Sequence, residues 1–198
     1  MTHYGDIFKI THNDLRPGKG RVLISEPFLQ DAYFHRSVIL LIEHGAKGSM
    51  GFVLNRRINI PLNNFFPELS QQPSIYLHRG GPIASDQLFF VHSISPDIVP
   101  DATQIGDNLY FGGDFELVKN YLFAGNPAAG KIKFFLGYSG WQGNQLYDEI
   151  VQDSWLVSHS SCESILLAEN DSFWKDMVKQ LGSPYSAWAN FPKSPDLN

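Results

Sequence analysis

The sequence predicts an α+β fold, a mixed β-sheet flanked by helices and forming one domain over residues 1–198. Three observations carry this. Strand-like runs come partly in succession and partly in alternation with helical stretches. The run Ser37–Glu43 (SVILLIE) is continuously apolar, as in a strand buried on both faces. Hydrophobic residues make up 43% of the chain and charged residues only 18%, a balance that excludes a disordered polyelectrolyte.

The elements follow in order. Residues 1–20 read as an N-terminal arm closed by the turn Arg16-Pro17-Gly18-Lys19-Gly20. Arg21–Ser25 is a short aliphatic strand. Ser37–Glu43 and Gly51–Asn55 form a hairpin across the glycine-rich stretch His44–Met50. Pro61 to Phe66 suits one helical turn, with Pro61 at a tolerated first position. Ser74–His78 and Gln87–Ile94 are strands around the turn Arg79-Gly80-Gly81-Pro82, and Asn108–Phe111 is another. Asp114 is placed to cap a helix carrying Phe115, Val118 and Leu122 on one face and stopping at Gly125. Lys131–Leu136 reads as a strand, Gln145–Val151 as a helix and Trp155–Ser158 as the last strand. Ser160 and Glu163 have capping-box spacing, and a final helix from Asp171 to Leu181 ends at Gly182. Residues 183–198 are left as a C-terminal tail. No linker rich in Pro, Gly or Ser divides these eight strands and their helices into two domains.

Charge and cysteine usage bound the function. Fifteen Lys and Arg against twenty Asp and Glu give a net charge of −5. That balance opposes direct nucleic-acid binding, which needs a basic face to neutralise phosphates. The single cysteine, Cys162, permits no intrachain disulfide, and the N-terminus lacks the apolar core of a secretory signal. The longest aliphatic run, Val38–Ile42, is far short of a membrane span. A cytoplasmic protein without a membrane segment is expected.

Candidate chemistry is sparse. Gly45-Ala46-Lys47-Gly48-Ser49-Met50-Gly51 lacks the Gly-Lys-Ser order of a phosphate loop and leads into a strand, so it reads as a hairpin turn. Gly137-Tyr138-Ser139-Gly140-Trp141 resembles a nucleophile elbow between strand and helix, but its last glycine is replaced by Trp141. A triad would require one of His44, His92 or His159 beside it. No compact metal-ligand spacing occurs, and no cofactor is expected. Arg36 opens the most hydrophobic strand and Asn55-Arg56-Arg57 closes its partner, so these groups meet at one end of the hairpin with Glu43-His44 at the other. An arginine so placed clamps an anion or ties down a loop through Asp31.

Taken together, Ser25-x-Pro27, Asp31-x-x-Phe34-x-Arg36-Ser37-Val38, Glu43-His44 with Gly48 and Gly51, and Asn55 resemble the YqgE/AlgH family of bacterial proteins. Gly80-Gly81-Pro82 with Leu88-Phe89 and His92, Gly137-Tyr138-x-Gly140-Trp141, Gln145-Leu146, Glu149 and Trp155 extend the resemblance over most of the chain. It departs at Ser139, where alanine is usual, and at Arg57, Asn144 and Ala32. The resemblance implies a barrel-like, irregular sheet and a link to transcriptional regulation, with no established reaction or ligand. It singles out Arg36, Glu43, His44, Asn55, Tyr138 and Gln145 as residues to line a pocket. The expected function is non-enzymatic binding or regulation through an unknown small molecule or protein partner. The alternative is a small-molecule hydrolase using Glu43/His44 or Ser139.

Overall fold

A computed structural model describes residues 12–71 and 74–193. The first eleven residues of the expected arm and the last five of the expected tail lie outside them. Among the described residues ten strands form one mixed sheet: β1 (Val22–Ser25), β2 (Val38–Gly45), β3 (Gly48–Val53), β4 (Arg57–Pro61), β5 (Tyr76–Arg79), β6 (Ile83–His92), β7 (Thr103–Gly106), β8 (Leu109–Phe111), β9 (Ile132–Gln142) and β10 (Trp155–Ser158). The helices are α1 (Phe115–Phe123), α2 (Gln145–Val151), α3 (Cys162–Leu167) and α4 (Asp171–Gln180). Short 3-10 turns cover Leu62–Asn64, Pro67–Gln71 and Tyr185–Asn190.

The main path runs β10-β1-β2-β3-β9-β6-β8-β7, and its pairings are antiparallel. β4 pairs with β5, and β5 runs parallel to β9. The sheet curls strongly: one apolar cluster collects Ile24, Leu40, Phe52, Val91, Ile105, Leu109, Phe135 and Leu156 from strands along the whole path. Its ends also approach, since a Cβ on Gly20 would meet the Ile105 carbonyl oxygen at 2.1 Å. Among the described residues β7 and β10 do not pair, so the expected barrel-like sheet is curled without closing.

Burial on both faces explains the unbroken apolar run of β2. Val38, Leu40 and Ile42 enter the cluster under α3, α4 and the last 3-10 turn. Ile39 and Leu41 point the other way, into a cluster with Leu146 and Ile150 of α2. A third cluster packs Val118 and Leu122 of α1 against Phe90 and Phe134. Helix caps match their residue types: the side chains of Asp114, Ser161 and Asn170 accept backbone N–H bonds in the first turns of α1, α3 and α4. The α3 cap is thus Ser161 rather than Ser160.

The largest departure concerns Gly137–Trp141, which is not a turn into a helix but the far half of the eleven-residue β9. One edge of β9 serves two partners. Phe135 and Leu136 align with β5, and Ser139 to Gln142 align with β3. Gly137, at φ +68°, marks the change. Gly80-Gly81 fills the junction. Gly80 N–H donates to the Leu136 carbonyl at 2.8 Å, while its own carbonyl accepts from Val53 N–H at 2.9 Å. A Cβ on Gly81 would sit 2.2 Å from the Tyr138 carbonyl carbon, so no side chain fits there.

Two strands escape the sequence pattern, β4 and β7, each with an exposed, partly polar face. The region read as a C-terminal tail contributes Trp188 and Ala189 to the main core. At the opposite end, Asn13 lies along β10: its amide donates to the Val157 carbonyl at 2.6 Å and its oxygen accepts Val157 N–H at 3.0 Å.

Candidate functional site

A cleft of about 520 Å³ lies between β5, the start of β9, the loop after α1 and the end of α3. Arg57 on β4 stands directly opposite His78 on β5. His78 in turn aligns with Phe135 of β9, and Lys133 lies two residues before it on the same face. Strand alternation thus brings three basic side chains to one side of the cleft. Leu122, Ile132, Leu166 and Leu167 supply apolar wall.

Lys133 and His78 form the floor, only 3% and 5% exposed. Lys133 Nζ lies 2.9 Å from His78 Nε2 and also donates to the Ala168 carbonyl, which caps the C-terminal end of α3. Burial pulls the Lys133 ammonium down to about 7, with Glu169 opposing the shift. Burial and the Lys133 charge lower His78 to about 3, so the imidazole is neutral. The backbone of Phe134 and Ala168 acts weakly the other way. His78 Nδ1 is buried and makes no hydrogen bond of acceptable geometry. At the mouth, the Arg57 guanidinium stacks 4.2 Å over the Tyr76 ring and reaches Glu169 Oε2 at 3.4 Å.

The six residues expected to line a pocket fall in separate places. Asn55 and Arg36 do meet, but as structural partners. Asn55 Nδ2 donates to the Arg36 carbonyl at 2.9 Å, and its Oδ1 accepts Val38 N–H at 2.9 Å. Arg36, held at φ +48°, turns its guanidinium onto Trp174 and donates to the carbonyls of Phe191 and Pro192 at 2.7 and 2.5 Å. It therefore anchors the C-terminal segment rather than pairing with Asp31, whose carboxylate instead accepts the N–H groups of Tyr33 and Phe34. Glu43 and His44 are exposed at the hairpin tip, where His44 Nδ1 lies 2.8 Å from Ser49 Oγ. Tyr138 packs edge-on against Phe89. Gln145 bridges Gln142 N–H and Glu149 at the start of α2. Four cavities among the described residues are each lined by at most one of the six, Asn55 in one and His44 in another.

Ser139 is fully buried and donates to the Gly80 carbonyl at 3.0 Å, which removes it as a nucleophile. His92 is buried as well. Its Nδ1 accepts Ile94 N–H at 3.2 Å, and its Nε2 faces the Gly112 carbonyl at 3.0 Å. Cys162 directs its thiol at the Asn108 carbonyl, and burial raises its pKa, so it is no ready thiolate. Among the described residues no group of three His, Cys, Asp or Glu side chains converges to hold a metal. None of their helices is long and apolar enough to cross a membrane.

Residues 22–186 match the AlgH-like family. The chain belongs to that family. A UPF0301 protein of Parabacteroides distasonis is 53% identical over the full length of both chains. A Bacteroides fragilis relative, UPF0301 protein BF2109, is 43% identical over 98% of this chain and 97% of its own. Among solved structures, protein DIP2367 of Corynebacterium diphtheriae superposes with a TM-score of 0.75 at 24% identity, covering 91% of this chain and 94% of that one. The solution structure of the AlgH protein from Pseudomonas aeruginosa gives a TM-score of 0.66 at 24% identity, over 91% and 98%. At that identity the likeness establishes this AlgH-like chain's fold. The α+β sheet therefore recurs in both solved structures.

Proposed function

We propose that this AlgH-like protein is a cytoplasmic, non-enzymatic binding protein with a regulatory role, and that it takes a small molecule in the cleft over Lys133 and His78. The observation that carries this reading is the buried Lys133–His78 pair facing a cavity of about 520 Å³. Sites of that size lined by apolar wall and a few converging polar groups are typical of small-ligand binding. Titratable groups with strongly displaced pKa values concentrate at such sites. A pair needed only to support the sheet would be served as well by apolar side chains of similar volume.

Nothing in the geometry favours hydrolysis over binding. Ser139 is sealed in the sheet, and His44 on its exposed tip has a hydroxyl rather than a carboxylate as partner. The family's regulatory association enters as an effect of ligand binding, not as direct DNA contact, in keeping with the net charge of −5.

Thermal-shift and NMR screening of the purified chain against small carboxylates, phosphates, nucleotides and carbonyl compounds tests the reading. A ligand that raises the unfolding midpoint and perturbs the signals of His78 and Lys133 supports it. Steady turnover of a compound elsewhere on the molecule, with this cleft silent, would sink it.

A further inference from the structure

We propose that Lys133 captures a small carbonyl compound, a 2-oxo acid, as a reversible imine in this cleft, with Arg57 receiving the carboxylate. The inference rests on the binding reading above and names the ligand class for the same site.

Three features of the geometry converge on it. Lys133 Nζ is held at a fixed point on the floor by two neighbours, the Ala168 carbonyl and His78 Nε2. A neutral amine has two N–H bonds, which these two acceptors engage, leaving its lone pair for a third direction. That arrangement requires His78 to carry its proton on the buried Nδ1. Second, Lys133 is buried beside a cleft whose wall includes Leu122, Ile132, Leu166 and Leu167, and that burial holds the amine partly neutral at pH 7, its pKa being about 7. Third, the ion pair that Arg57 makes at the mouth is loose. Arg57 reaches Glu169 only at 3.4 Å, between side chains 42% and 52% exposed, so a ligand carboxylate can displace that contact. A buried helix cap explains the Ala168 contact but none of the other features.

The chemistry balances without an outside reagent. The Nζ lone pair attacks the carbonyl carbon, forming the C–N bond as the C=O π bond opens onto oxygen. One N–H proton passes to that oxygen, with His78 Nε2, 2.9 Å away, as the relay. The resulting carbinolamine loses its hydroxyl and the second N–H proton as water, and the C=N bond forms. Hydrolysis reverses every step, and nothing is oxidised or reduced.

The test uses the full chain, pyruvate and cyanoborohydride at neutral pH, with peptide mapping by mass spectrometry. The chain has nine lysines, which serve as internal controls. Reductive labelling is expected at Lys133 roughly tenfold or more faster than at exposed Lys131. Propanal, which lacks the carboxylate, should label Lys133 more slowly. Arg57→Gln should erase that difference between the two probes. Labelling confined to exposed lysines overturns carbonyl capture. Lactate keeps the two readings apart, having the carboxylate and no carbonyl. If lactate and pyruvate both raise the unfolding midpoint while Lys133 stays unlabelled, binding stands and capture falls. If pyruvate does neither, the carbonyl assignment falls and the binding reading is decided by the wider screen. Because the readout is the position of the label on the native protein, it does not depend on a Lys133 variant folding.

Discussion

Trp141 and Trp155 share one acceptor: both indole N–H groups donate to Glu149 Oε2, each at 2.8 Å. The rings meet edge to face at 6.1 Å, and Phe34 packs on both. Glu149 thereby clamps α2 to β9 and β10. Glu149→Ala strands two largely buried donors and is expected to cost about 3 kcal/mol, whereas Glu149→Gln keeps an acceptor and costs about 1 kcal/mol. Chemical denaturation followed by tryptophan fluorescence reads both values directly. Equal effects would show that the shared hydrogen bonds contribute little.

At the junction of β3, β5 and β9, two neighbouring residues should differ sharply in how much they tolerate change. Gly81→Ala forces a methyl group against the Tyr138 carbonyl and should destabilise by roughly 3 kcal/mol or more, if the protein folds at all. Ser139→Ala loses one hydrogen bond to the Gly80 carbonyl and should cost about 1 kcal/mol. Unfolding midpoints of the two variants, compared at one pH, check the ranking.

Arg36 ties the C-terminal segment to the start of β2. Removing its guanidinium in Arg36→Ala deletes its hydrogen bonds to the Phe191 and Pro192 carbonyls and opens a cavity beside Trp174, for an expected loss of about 3 kcal/mol. Limited proteolysis should then cut first within Tyr185–Asn190. Cleavage there at the wild-type rate would contradict the anchoring role.

The Lys133–His78 pair makes stability depend on pH in two windows. Both groups bind fewer protons folded than unfolded, His78 between about 3 and its usual 6.5, Lys133 between about 7 and its usual 10.5. Stability therefore rises with pH across each window. Acidification from pH 6.5 to 3 should lose up to ~4 kcal/mol through His78 alone, at about 1.4 kcal/mol per pH unit. Lys133→Met should stay within about 1 kcal/mol of the wild type at pH 7 and abolish the rise between pH 7 and 10. Urea unfolding repeated along a pH series separates the two groups: the substitution removes the upper window and narrows the lower one, because the Lys133 charge is one of the causes that hold His78 down.

Much of the fold was legible because it is locally encoded. SVILLIE announces a strand buried on both faces, and Asp114, Gly125 and Gly182 mark helix ends through their own backbone chemistry. The break came at Gly137–Trp141, where glycines that look like a turn accommodate a neighbouring backbone within a continuous strand. That distinction depends on Gly80-Gly81, which only the folded chain brings there. The cleft was hidden for the same reason. Lys133 and His78 are 55 residues apart, and neither belongs to a motif. The one local hint was Lys133 itself, a charge inside the apolar strand run Ile132–Leu136. Arg36 and Asn55 stand out as polar residues in apolar surroundings and Gln145 through the family resemblance, yet a polar residue in an apolar stretch marks a satisfied structural hydrogen bond as readily as a ligand contact.

Asn13 bears on how the protein meets other chains. Its side-chain amide offers Val157 both a donor and an acceptor, imitating one residue of an adjoining strand. The outer edge of the four-residue β10 is therefore already occupied at its third position. An incoming strand, from a partner or from a second copy, would have to evict Asn13 before it could extend the sheet. A single side chain thus guards one rim of the sheet against edge-to-edge growth.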